Sequence, residues 1–294
     1  MADSIFITGG TGATGQALLR LLAADEAFRG VPITCLCRPG GRGERLLPFG
    51  VKIAGGDASS AGSLRKVYQG QPVVIHISSI FHTGAVLEGC AGMKRLIAVS
   101  STRVYSRTWD KAKEIEETER VIARSGVPFT ILRPTIIYGV PGYRLFRLFI
   151  GAIRRSPVLL LPGGASMFQP VHVDDVASCI VAALKSPASL GRSYNVPGES
   201  AHTLREMVNI VSGILGKSTL VVPVPLALAE AAAALNDKTL RHPALTLEMM
   251  RRLREDKRCD YSETTKDLGY SPRSFTEGIK QQIWSMGLIS PDRR

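Results

Sequence analysis

No apolar run in this chain approaches the roughly 20 residues needed to span a bilayer, so a transmembrane protein is not expected. Nothing resembles a basic leader followed by an apolar stretch and a cleavage site. The first residues pass directly into a β-rich run, and a cytoplasmic location is expected. Cysteine is scarce: five residues, at 35, 37, 90, 179 and 259, an odd number with no zinc-site spacing. Cys35 and Cys37 alternate within a predicted strand and are expected on opposite faces, where they cannot share a metal. No metal is therefore expected, and most cysteines read as small buried residues. Low-complexity segments and clear repeats are also absent.

Acidic residues are outnumbered. Lys and Arg total 37 against 25 Asp and Glu, a net charge of +12 and a pI of about 9.8. The excess gathers at Arg144, Arg147, Arg154 and Arg155, and at Arg251, Arg252, Arg254, Lys257 and Arg258. No aromatic-basic RNA motif or helix-turn-helix signature accompanies it, so nucleic acid is not expected as a partner. Solvated helix faces, an anionic cofactor and an anionic small-molecule substrate account for the charge more simply. With 294 residues, 45% hydrophobic and 21% charged, the chain is long enough for a large core and about one and a half to two domains.

What is present is concentrated at the start. Ser4-Ile5-Phe6-Ile7-Thr8 is β-rich, Gly9-Gly10-Thr11-Gly12-Ala13-Thr14-Gly15 is a glycine turn, and Gln16 to Leu22 is helix-like. Strand, glycine turn and helix start form the entrance of a dinucleotide-binding βαβ unit. Gly9 lets the chain leave the strand tightly. Gly12, lacking a Cβ, lets a pyrophosphate approach the backbone. Gly15 lets helix and strand lie close. The helix N-terminus then offers free N–H groups and a positive dipole end to the phosphates.

Further strands are predicted at Ile33–Cys37, Val51–Ala54, Val73–Ile77, Leu96–Ser100 and Phe129–Leu132. Helices are predicted at Ser63–Tyr68, within Ser78–Arg95, and at Lys111–Ser125. Alternating strands and helices imply an α/β, Rossmann-type doubly wound parallel sheet. After Gly139 the rhythm changes to a basic amphipathic helix at Gly142–Arg155 and short strands at Val158–Leu161 and Pro170–Val173. A helix follows, starting at Asp174-Asp175, with capping-box spacings at Thr203–Glu206 and Ser274–Glu277. The expected division is a dinucleotide-binding domain of residues 1–140 with parts of 169–197. Residues 141–168 and 198–294 would form a smaller, mostly helical C-terminal domain for substrate or partner.

These landmarks resemble a known group. Thr8 to Gly15 is one, Asp57 after the third strand another, followed by Val99-Ser100-Ser101, Leu132-Arg133-Pro134, Pro170 to Ala177 and Lys266 to Phe275. Together they are similar to the extended and atypical short-chain dehydrogenase/reductases, the NAD(P)-dependent epimerase/dehydratase group. The resemblance covers nearly the whole chain and says little about the reaction. It implies that Thr8, Gly9, Gly10, Thr11, Gly12, Ala13, Thr14 and Gly15 wrap the pyrophosphate. Asp57 and Ala58 would sit at the adenine, and Ile77 and Ser78 along the nicotinamide ribose. Pro134, Thr135 and Ile137 would close over the nicotinamide, and Ser101 would hydrogen-bond the reacting oxygen.

The residue ending the second strand discriminates between cofactors. NAD binders place an acid there to hold the ribose 2′-hydroxyl. This chain has Arg38, with Arg42 and Arg45 nearby, and a guanidinium suits the extra phosphate, so NADP(H) is expected.

One element of the group is missing. None of the seven tyrosines is followed four residues later by lysine. In relatives that pair shares a helical face and shuttles the proton. Trp109 and Lys113 have the spacing with the wrong first residue, and an indole has no proton to give. In the register set by Glu119, the pair's positions hold Lys111 and Ile115. Tyr105 and Lys113 are candidate substitutes beside Ser101, and His76, His82 and Tyr138 are further ones. No Gly-x-Ser-x-Gly elbow makes Ser101 a hydrolase nucleophile.

The leading expectation is an NADP(H)-dependent oxidoreductase or epimerase/dehydratase-like enzyme acting on a small carbonyl or hydroxyl compound through a non-standard site. The alternative is a catalytically inactive NADP(H)-binding sensor, regulator or assembly factor. Such a protein would be similar to the accessory subunits of respiratory complex I or to co-regulators of the same superfamily, with a protein partner or a homodimer built on the basic second-half helices. A third reading is a nucleotide-sugar enzyme, with Arg144 and Arg147 on a diphosphate.

Overall fold

The computed structural model describes residues 3–162, 166–239 and 246–290; the outer limits of the expected division, residues 1 and 294, fall outside them. Six strands, β1 (Ile5–Thr8), β2 (Ile33–Cys37), β3 (Lys52–Gly55), β4 (Val73–His76), β5 (Arg95–Val99) and β6 (Phe129–Pro134), join a seventh at Arg192–Val196. All pair in parallel, in the order seventh strand, β6, β5, β4, β1, β2, β3. The chain order reverses between β1 and β4. In such sheets the crevice at the carboxyl ends of those two strands is where a ligand binds.

Strands buried on both sides explain why β1 reads as one apolar run. Ile5 and Ile7 enter the core on one face and Phe6 the core on the other, all at 0% exposure. The first face is covered by α1 (Ala13–Ala24) and α6 (Val173–Lys185), through Leu18, Leu22, Val176 and Ile180. The second is covered by α2 (Ala61–Val67), α3 (Thr83–Gly89) and α4 (Ala112–Arg124), through Leu64, Val86, Ile115 and Ile122. Burying each such aliphatic side chain is worth about 1.5–3 kcal/mol.

Cys35 and Cys37 correct one expectation. Both lie in the core under α1, on one face of β2. Residues two apart in a strand share a face, and only adjacent ones alternate. Both thiols are buried and free, and burial pushes that of Cys35 up to about 12. Among the described residues no group of three metal-ligating side chains gathers.

A third core lies beyond the sheet. It joins α5 (Arg144–Arg155), α7 (Leu204–Ile214) and α11 (Phe275–Ser285) through Phe146, Ile150, Ile153, Met207, Val211, Ile279 and Ile283. Residues 146, 150 and 153 form one face of α5, which leaves Arg144, Arg147, Arg154 and Arg155 exposed. Both capping boxes form, Thr203 with Glu206 and Ser274 with Glu277. The second half also holds α8 (Leu226–Thr239), α9 (Leu247–Arg252) and α10 (Ser262–Leu268). Its short two-stranded pairs include Val158–Pro162 with Leu220–Val224. Among the described residues no helix is long and apolar enough to cross a membrane.

Candidate functional site: a dinucleotide cleft without an acid

The glycine turn is shaped by close backbone contacts. Gly9 has φ +81°, and a Cβ there would stand 2.7 Å from the Ser78 amide nitrogen. A Cβ on Gly15 would press into Gly9 O and lie 2.5 Å from Gly10 Cα. Gly12 differs: its Cβ would meet only Gly9 O, at 3.3 Å. It is exposed and caps α1 without a side-chain hydrogen bond, and no acidic residue lies in the first turn. The first N–H groups of α1 thus point past a residue that presents no bulk. That cradle fits a pyrophosphate.

Thr8 anchors the floor of the turn. Its hydroxyl lies 2.7 Å from His76 Nδ1 and 3.0 Å from Ser78 Oγ. Burial, then the charge of His82, pulls the His76 pKa down to about 4, so its ring is neutral. At the far end, Asp57 Oδ1 accepts from the Ser59 amide at 2.9 Å. That bond, the Ser59 side chain and nearby Arg38 hold its carboxyl below the usual range, so it stays an acceptor. Ala58 beside it is buried. Arg38, Arg42 and Arg45 are exposed, and among the described residues none is in an ion pair.

At the other end a cleft of about 250 Å³ opens over the carboxyl ends of the strands. Thr14 from α1, Ile77 to Ile80 after β4, and Val99 to Ser101 at the end of β5 line it. Pro134, Thr135 and Ile137 after β6 complete the wall. Seven residues expected from the sequence meet here: Thr14, Ile77, Ser78, Ser101, Pro134, Thr135 and Ile137. None of the lining residues carries an ionisable side chain. Ser101 Oγ accepts from the Arg103 amide at 3.2 Å, which leaves its proton free to donate.

The candidate proton donors lie elsewhere. Tyr105 is 53% exposed; its hydroxyl accepts from Arg133 at 2.9 Å and donates to Asn195 at 3.0 Å, outside the cleft lining. Lys113 is exposed on α4. Lys111 lies over the Phe81 ring, 5.6 Å from its centre, and Ile115 is buried in the core. His82 stands near enough to Asp57 to act on its charge. Tyr138 is 1% exposed, and burial raises its pKa beyond use as an acid.

A buried network beneath the cleft escaped the sequence. Ser100 donates to Glu119 Oε1, and Arg133 grips both oxygens of that carboxylate through Nε at 3.1 Å. Only the place of Glu119 on the apolar stripe of α4, between Ile115 and Ile122, hinted at it.

A doubly wound parallel sheet with a glycine cradle at its switch point defines a dinucleotide-binding protein of the Rossmann class. Residues 9–187 match the NAD(P)H-binding family, and the chain belongs to it. It is 35% identical over 111 residues to the mitochondrial NADH dehydrogenase [ubiquinone] 1 alpha subcomplex subunit 9 of Arabidopsis thaliana. That match covers 37% of this chain and 27% of that one. It is 28% identical over 227 residues to the (4-alkanoyl-5-oxo-2,5-dihydrofuran-3-yl)methyl phosphate reductase of Streptomyces griseus, covering 72% of this chain and 74% of that one. The fold matches the triphenylmethane reductase of Citrobacter sp. with a TM-score of 0.77 at 20% identity, covering 96% and 99% of the two chains.

Proposed function

We propose that this protein is an NADP(H)-dependent oxidoreductase that reduces a small carbonyl or conjugated acceptor without a side-chain general acid. The observation that carries this is the cleft itself, which has hydroxyls and apolar walls and no ionisable group on its lining. Bound NADPH supplies the hydride. The turn from Thr8 to Gly15 holds its pyrophosphate, Asp57 its adenine and Arg38 its 2′-phosphate. Pro134, Thr135 and Ile137 shield the reacting face from water. Ser101 donates a hydrogen bond to the acceptor oxygen, and solvent completes the proton balance. Acceptors that spread charge over a conjugated system suit such a site, because the developing anion needs little help from an acid. The similar proteins from Streptomyces and Citrobacter are both named as reductases.

The test is to follow NADPH oxidation by the purified protein with menadione and with simple aldehydes. Oxidation that depends on both protein and acceptor is expected. A second reading, a binding protein that holds NADP(H) without turnover, draws on the match to the complex I subunit. Tight NADPH binding with no oxidation across the panel would favour it.

A further inference from the structure

Beside the cleft, two guanidiniums converge on one aromatic ring, and a third cation lies near one of them. Arg103 lies two residues after Ser101. Its guanidinium carbon is 5.1 Å from the centre of the Trp109 ring, and that of Arg252 is 6.0 Å from the same centre. Lys257 is close enough to Arg252 for their charges to repel, and its ammonium lies 4.4 Å over the Phe168 ring.

Both halves of this cluster are tied to the cleft wall. Thr102 donates to the Pro134 carbonyl at 3.3 Å, which fixes the turn that carries Arg103. The Lys257 amide donates to Met167 O at 2.9 Å, and the Cys259 amide to Gln169 Oε1 at 2.9 Å. The carbonyl of that same Gln169 accepts from Thr135, a cleft residue.

Among the described residues Arg103, Arg252 and Lys257 make no direct ion pair, whereas their neighbours Arg254 and Arg258 pair with Glu230 and Asp256. The charges of Glu255 and Glu248 nevertheless act on Arg252, and those of Glu255 and Asp256 on Lys257. Glu255 is close by but occupied. It accepts from Ser106 Oγ, the Arg107 amide and both the amide and hydroxyl of Thr108, all at 2.7–2.9 Å. Among the described residues the Lys257 ammonium donates only to the carbonyls of Arg252 and Glu255. Arg252 Nε is buried with no hydrogen-bond partner. Burial, then the charge of Arg252, brings the Lys257 pKa down to about 8. Arg252 and Lys257 are half-buried without a direct ion pair, which is costly, and a bound anion relieves that cost.

We propose that Arg103, Arg252 and Lys257 form a substrate-side anion subsite that takes a phosphate, sulfonate or carboxylate group carried by the acceptor. Planar guanidiniums stacked on an indole present paired donors suited to such groups. The cofactor's own phosphates are addressed elsewhere, by the glycine turn and by Arg38 at the end of β2. Arg144 and Arg147 keep the solvated face of α5. The subsite rests on the reading of the cleft as an acceptor site and gives that acceptor a charged tail.

Phenyl phosphate, which cannot be reduced, is titrated calorimetrically into the whole protein with and without saturating NADPH. Single-site binding is expected in both cases. Arg103→Gln, which replaces an exposed residue, and Lys257→Gln should each weaken it roughly ten- to a hundred-fold and leave NADPH affinity unchanged. No binding, equal binding by wild type and variants, or displacement of the probe by NADPH would overturn the subsite. Oxidation of NADPH by neutral menadione is measured on the same samples. If that fails while phenyl phosphate binding still responds to the substitutions, the reductase reading falls and the anion site stands.

Discussion

The hydroxyl of Ser100, on the wall of the cleft, donates to Oε1 of Glu119 at 2.5 Å. Glu119 is 6% exposed and meets the fork of Arg133 on its other side. A carboxylate in that position holds the ends of β5 and β6 in register under the cleft. Breaking a buried pair by removing one partner costs about 3–5 kcal/mol, because the remaining charge stays buried. Glu119→Ala should therefore lower stability in urea by about that amount. Glu119→Leu combined with Arg133→Met should recover much of it. An additive loss in the double variant would show that the two residues act independently.

Gly15 and Gly12 separate folding from binding. Alanine at Gly15 drives a Cβ into the backbone of Gly9 and Gly10, which are not free to move. Gly15→Ala should lower the melting temperature markedly. Alanine at Gly12 meets only Gly9 O at 3.3 Å and would occupy the face proposed for the pyrophosphate. Gly12→Ala should melt near the wild-type temperature and lose about tenfold or more in NADPH affinity. Thermal melts with calorimetry check both halves.

Arg38 is the residue proposed to select NADPH over NADH. One charge-assisted hydrogen bond to the 2′-phosphate contributes about 1.5–3 kcal/mol, roughly ten- to a hundred-fold in affinity. Arg38→Gln should lose that factor for NADPH and leave NADH almost unchanged. Equal wild-type affinity for the two nucleotides would remove the assignment.

Two buried histidines set the acid limit of the fold. Burial brings His76 and His172 from 6.5 down to about 4, the charge of Arg273 adding to the effect on His172. The folded state then binds fewer protons than the unfolded chain. Their contribution is complete above about 6.5 and is lost as pH falls towards 4. At pH 5 the loss is roughly 1–2 kcal/mol per histidine. Melting temperature should fall between pH 7 and pH 5, before the depressed carboxyl of Asp57 titrates. His76→Gln should flatten part of that slope; an unchanged slope would contradict it.

Much of this was legible in the sequence. Strands buried on both faces announce themselves as apolar runs, and the glycine turn has few other uses beside a strand. The strand Arg192–Val196 was not legible. At the sheet edge only Tyr194 and Val196 are buried, and Arg192, Ser193 and Asn195 dilute the pattern. The partners of Tyr105, and the convergence of Arg103 with Arg252 and Lys257, join residues far apart in the chain. No local spacing encodes such contacts. The missing tyrosine–lysine pair was plain from the letters. That the cleft lining replaces it with no ionisable group required the fold.

The proposed function stands or falls on hydride transfer from a cofactor held by the glycine turn, in a cleft without a side-chain acid. NADPH carrying deuterium at the transferable position of nicotinamide C4 tests it most directly, with product analysis after reaction with menadione or an aldehyde. Deuterium in the reduced aldehyde and a slowed oxidation with either acceptor are expected. Ser101→Ala should turn over roughly ten- to a hundred-fold more slowly, less than the loss of a full oxyanion donor, with the pH profile unchanged. NADPH that binds at the turn yet is never oxidised by neutral or anionic acceptors would contradict it.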